Sequence, residues 1–172
     1  DEALAALSRG TLKYCYIENL DLSEVPLEEI PPVISLSRCV LGHVRIPDRL
    51  VGTLNLRAIV LGRVDIGKTW SGEVNKSVLQ PPSNFDNIMF RESLFLGPVN
   101  AQGIQVSGRV AYFVMSVFED NADFRDTSFS GMADFRFSVF AHGANFKGSQ
   151  MSDAVYFGGS RYLDDTSFRG MY

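Results

Sequence analysis

Along residues 121–146, NADFRDTSFSGMADFRFSVFAHGANF, phenylalanine returns at 124, 129, 135, 140 and 146. The steps are five, six, five and six, which match neither the roughly 3.6 of a helix nor the strict alternation of a strand. Continued forward, the schedule lands on Met151, Phe157, Tyr162 and Phe168, all large and apolar. Two positions before each centre stands a smaller residue, from Ala122, Thr127 and Ala133 through to Ser160 and Thr166. Two coupled series that keep step for about fifty residues mark an internal repeat.

The first half carries a related repeat. Ile34–Ile46 aligns without gaps on Leu54–Ile66 at an offset of twenty, with Leu36/Leu56, Val40/Val60, Leu41/Leu61 and Val44/Val64 as identical pairs. A looser copy runs through Leu12–Ile17 and Leu20–Leu22, and Phe90, Phe95, Ala101, Val106 and Tyr112 carry the rhythm between the halves, with a slip near 112–118. Four such steps close one square coil whose large side chains point inward, and parallel coils stack about 4.8 Å apart. Two longer steps per coil lengthen it to 22 residues, so Phe124, Phe146 and Phe168 share one face and Phe129 and Met151 the next. The small partners then sort into Ala/Val on two faces and Ser/Thr on the others. A β-sandwich fits less well, because strict alternation over strand-length runs is missing.

Ala122-Asp-Phe-Arg-Asp, Ala133-Asp-Phe-Arg-Phe and Ala144-Asn-Phe-Lys-Gly resemble the pentapeptide-repeat family, in a Phe-rich branch with an eleven-residue period. The resemblance covers about residues 12 to 172, tight after 118 and looser before 88. It implies an all-β fold, a right-handed, four-sided parallel β-helix or solenoid. Within it the sequence divides into a short N-terminal helical cap at 1–11, twenty-residue coils at 12–66, an irregular insertion at 67–88, and 22-residue coils at 89–172. Glu2–Leu7 holds good helix formers and Gly10 a stop, as a solenoid end that needs covering would. The Pro31–Pro32 pair excludes ladder hydrogen bonds and breaks the repeat a second time.

The insertion holds the only Trp. It is either a bulged connector whose Trp70 fills a widening core, or a partner-binding loop presenting Lys68, Trp70, Glu73 and Lys76. At the other end the repeat is still running at Ser167–Tyr172, which leaves Tyr162, Phe168, Met171 and Tyr172 on an open rung. That end is expected to be joined to further chain or buried in an end-to-end homodimer of two-fold symmetry. The start at Asp1, without an initiator Met, points to a processed or trimmed N-terminus.

Composition changes this picture little. Thirteen Phe are concentrated after residue 84, and the net charge of −4 is shared about equally by the two halves. Nothing basic is concentrated enough to expect nucleic acid, and Val110–Met115 is too short an apolar run to span a bilayer. The compartment is left open. His43 and His142 fall at turns, Cys15 and Cys39 align as small inward residues of neighbouring coils, and no nucleophile–base set or metal-ligand spacing occurs. Neither catalysis nor a cofactor is therefore expected. The expected function is a rigid protein-interaction or scaffold module, its partner another protein or a second copy. The alternative implied by the resemblance is a DNA-mimicking regulator that binds a type II topoisomerase. Mimicry needs an unbroken acidic stripe, whereas Asp123 and Asp134 each have an arginine two residues on.

Overall fold

A computed structural model of the protein describes residue 7 and residues 11–23, 25–47, 52–66 and 84–172. Its strands pair in parallel and form a β-solenoid of about six turns. Four columns of strands make four sides. Face A contains Ala122–Asp123 between Val99–Asn100 and Ala144–Asn145. Face B contains Ser128–Phe129 between Gln105–Val106 and Gln150–Met151. Met132–Asp134 lies on face C between Val110–Tyr112 and Val155–Tyr156. Val139–Phe140 lies on face D between Val117–Phe118 and Arg161–Tyr162.

Two-residue strands are too short to be stable alone, so stacking has to hold them. The stack is aromatic. Phe113 lies on Phe135 with ring centroids 4.6 Å apart, Phe118 on Phe140 at 4.8 Å and Phe124 on Phe146 at 5.2 Å, all within a few degrees of parallel. Rings on adjoining faces meet edge-on, as Phe124 meets Phe135 at 77°. Both geometries suit the ring quadrupole. Phe85 through Phe146 on the inward schedule are completely buried.

The small inward residues have a second task. Thr127, Ser138 and Ser149 are buried hydroxyls, and Ser160 is half-buried. Ser138 donates to the Phe113 carbonyl, Ser149 to Phe124 at 2.6 Å and Ser160 to Phe135 at 2.6 Å. Each ties a corner to the preceding coil and satisfies a carbonyl that the corner withholds from the ladder. Alanine cannot do this, which is why Ser/Thr occupies these columns, while the face A column of Val99, Ala122 and Ala144 takes a hydroxyl only at Thr166.

The first-half offset of twenty is observed at Ile34–Leu54, Leu36–Leu56 and Val44–Val64. Between them the gapless alignment fails. Val40 pairs with Ile59 and Leu41 with Val60, and Leu61 is exposed. Arg38 stands in the left-handed region (φ 56°) and inserts one residue there. At the slip near 112, Phe113 is the buried centre, and the expected centre Tyr112 points outward. The ladder resumes at Asn84, so residues 84–88 of the segment read as irregular are strand. Of the expected cap at 1–11 only Leu7 and Thr11 are described: Leu7 is buried against the core, and Thr11 opens the first strand, Thr11–Lys13, rather than ending a helix.

Candidate interaction surface

The Asp or Asn that precedes each Phe is explained by the corner that follows it. Asp123 Oδ1 accepts the Arg125 backbone N–H at 3.0 Å, Asp134 that of Arg136 at 3.0 Å and Asn145 that of Lys147 at 3.1 Å. Such an Asx turn offers the backbone a partner two residues ahead, just where the chain leaves the ladder.

The same carboxylates bind the arginines they orient. Arg125 pairs with Asp123 at 2.7 Å and Arg136 with Asp134 at 2.6 Å. Both guanidinium groups are held above their ordinary range, first by the hydrogen bond and then by the charge of the partner. In the first half, Arg45 pairs with Asp21 at 3.1 Å and Arg63 with Asp65 at 2.9 Å. The acidic positions of the outward faces are therefore interleaved with bases.

Asp134 differs from the rest because it is wholly buried. It lies between Tyr112 and Tyr156 in the ladder of face C. Burial opposes its ionisation, but hydrogen bonds from the Arg136 side chain and backbone, then the charges of Arg136 and Arg91, outweigh it and hold the carboxyl below the usual range. Asp21 is likewise depressed, with Ser23 and Arg45 overcoming desolvation. Around Asp134 the arginines stack on tyrosines, Arg91 lying 4.2 Å from the Tyr112 ring centre and Arg136 5.3 Å from that of Tyr156. Sequence spacing identified the Asp–Arg pairs but not this cluster, which joins residues about 22 positions apart.

Of the residues singled out from the sequence, Lys68, Trp70, Glu73 and Lys76 lie outside the described residues. The C-terminal set does come together. Phe168 stacks on Phe146 at 5.3 Å and Tyr162 on Phe140 at 5.2 Å, while Tyr172 reaches Gln150 Nε2 with its hydroxyl at 2.9 Å. Phe168 and Tyr172 are exposed, and Tyr162 and Met171 half-buried. The Tyr162 hydroxyl is enclosed without a well-formed hydrogen bond among the described residues. Desolvation pushes it up to about 12, with Ser160 offsetting only part.

Cys15 and Cys39 are free thiols, and burial followed by the Cys39 neighbour pushes Cys15 up to about 12. His43 and His142 are exposed at corners, where His43 Nδ1 accepts the Arg63 backbone N–H and His142 Nδ1 meets the Glu119 carbonyl. Among the described residues no group of three His, Cys, Asp or Glu side chains is placed to share a metal ion, and no helix is long and apolar enough to cross a membrane.

Among curated proteins and among solved structures, nothing matched the chain. A family model described as pentapeptide repeats (9 copies) matches residues 90–139. Those residues form the coils whose stacked Phe, capping Asp and corner Ser have just been described. Over residues 90–139 the chain is similar to the pentapeptide-repeat family.

Proposed function

We propose that the protein is a non-enzymatic, rigid protein-interaction or scaffold module whose partner is another protein or a second copy of itself. A structural or interaction module is consistent with the pentapeptide-repeat solenoid, and such proteins are generally non-catalytic. The observation that carries the reading is the unbroken ring stack from Phe113 through Phe135 to Phe157. It locks each coil to its neighbours, so outward side chains stand at fixed spacing and bind without ordering a loop first. Within this reading Tyr162, Phe168, Met171 and Tyr172 are one candidate contact, and Lys68, Trp70, Glu73 and Lys76, which lie outside the described residues, are a second. Nothing favours the DNA-mimicking, topoisomerase-binding alternative, since Asp123 and Asp134 are both neutralised in place.

Affinity capture with the intact chain, followed by titration of each purified candidate, tests this reading. The expected result is a saturable, stoichiometric complex in which only outward-facing positions gain protection from hydrogen exchange. Turnover of a small molecule by the purified chain, without any saturable protein partner, would overturn it.

A further inference from the structure

Two corners of the solenoid make the same left-handed turn with different residues. After face A the turn is made by Gly103, Asp126, Gly148 and Gly170, with φ between 55° and 73°. After face C it is made by Tyr14, Arg38, Glu92, Met115, Phe137 and Gly159, with φ between 49° and 73°. Their backbones stack in register, since Glu92 N donates to Val114 O, Met115 N to Arg136 O and Phe137 N to Gly158 O. Glycine is the inexpensive choice for this conformation, and a bulky apolar residue is a poor one. The side chains gain little compensating burial, although the Phe137 ring lies over Gly159. Tyr14 is 71% exposed, Met115 55% and Phe137 59%. Strained residues that the core does not require concentrate at functional sites.

The flank of this corner is cationic. Lys13, Arg38, Arg57, Arg91 and Arg136 stand on face C or its turn against Glu92 and Asp134, while the whole chain carries −4. Both carboxylates are already engaged, Glu92 with Arg57 and Asp134 with Arg136. Arg38 and Arg91 make no ion pair among the described residues. Each lies against a tyrosine instead, Arg38 donating to the Tyr14 hydroxyl at 2.7 Å and Arg91 stacked on Tyr112. A guanidinium stacked by its face keeps edge N–H donors for a planar bidentate acceptor, which is carboxylate chemistry. Two open grooves of about 360 and 300 Å³ meet at Glu92, one bounded by Arg38 and Arg57, the other by Arg91, Tyr112, Met115 and Arg136.

Resting on the interaction-module reading, we propose that this corner is the docking edge for an extended, acidic segment of another protein that carries large apolar side chains. Its carboxylates pair with Arg38 and Arg91, and its apolar side chains cover Met115 and Phe137. Exposed Arg, Tyr, Met and Phe are the residue types enriched where interfaces are tightest. At about 4.8 Å per coil the edge from Arg38 to Phe137 spans about 20 Å, the reach of about six extended residues.

The test is selection of a random dodecapeptide library against the intact chain, with dissociation constants then measured on the parent and two variants. Met115→Gly/Phe137→Gly and Arg38→Gln/Arg91→Gln should fold as the parent does by circular dichroism, because neither change touches the core or the ladder. The expected result is enrichment of peptides combining Asp or Glu with aromatic or aliphatic residues, each variant weakening them at least about tenfold. The Arg variant should also flatten the salt dependence. Peptides that bind both variants as tightly as the parent, or that are not acidic, would overturn the docking edge while leaving the interaction module intact. No enrichment would count against both readings. Tighter binding of a twelve-nucleotide oligothymidylate, displaced by the same variants, would replace the acidic segment with a single-stranded nucleic acid.

Discussion

Replacing Phe135 by alanine tests the fold at its most crowded point. The ring is completely buried, stacked on Phe113 at 4.6 Å and Phe157 at 5.1 Å, and edge-on to Phe124, Phe129 and Phe146. Core Phe→Ala changes cost about 3–5 kcal/mol, more where the walls cannot collapse. Here they are held apart by the ladder, Phe113 N donating to Asp134 O at 2.7 Å and Phe135 N to Tyr156 O at 2.8 Å. The upper part of the range, about 4–5 kcal/mol, is therefore expected. With a urea slope of about 2 kcal/mol/M, that moves the midpoint down by about 2 M. Phe168→Ala is the internal control, because Phe168 is partly exposed, stacked on Phe146 from one side and edge-on to Phe157 and Tyr162, and it should cost about 1–2 kcal/mol. Urea melts followed by circular dichroism at fixed protein concentration measure both. A loss below about 1 kcal/mol at Phe135, or equal losses at the two positions, would refute the stacked-coil register. A lowered slope would show instead that the array uncouples at that coil.

Phe137→Gly should leave stability within about 1 kcal/mol of the parent or raise it, since relief of the left-handed strain offsets lost chain stiffness; thermal melts check this. Asp134→Asn should cost about 1–3 kcal/mol at neutral pH by leaving the Arg136 donors without their charged acceptor. The Asp134 pKa is depressed by folding, so its contribution is present above the ordinary carboxylate value of about 3.9 and lost as pH falls through the folded value. The parent and Asp134→Asn should therefore converge in acid, and a difference independent of pH would refute the pairing. Tyr162 is raised to about 12, so the fold binds a proton that the unfolded chain releases at about 10, and stability falls with rising pH across that window. Tyr162→Phe should flatten that loss in urea melts at alkaline pH. An ultraviolet titration in which every tyrosine ionises together would argue against it.

Much of the solenoid was legible in one dimension because its contacts recur at a nearly fixed sequence separation. Once the period is read, residues 22 apart must be neighbours, so Ala122 over Ala144 over Thr166 followed from spacing alone. The Asp–Arg pairs were legible for the same reason, being two residues apart on one turn. Spacing could not show where the backbone stores an extra residue. Arg38 moved Val40 opposite Ile59, and the slip at 112 put Phe113 inside and Tyr112 outside. The first is decided by the left-handed residue Arg38, and a non-glycine residue in that conformation leaves no mark in composition; the second is one extra residue in the step from Val106 to Phe113, where no positive φ occurs. The candidate docking edge was hidden for a further reason. Phe137 and Met115 look like stray core residues in the sequence, and only the turn that points them outward shows that they are surface. The sequence by itself determined the period, the inward columns and the capped corners, because each is local or strictly repeated. The tertiary structure alone decided that Asp134 is buried, that Arg91 lies on Tyr112, and that cationic and apolar side chains converge along one corner. Those properties arise from the stacking of successive coils, which sets residues of different coils side by side on face C.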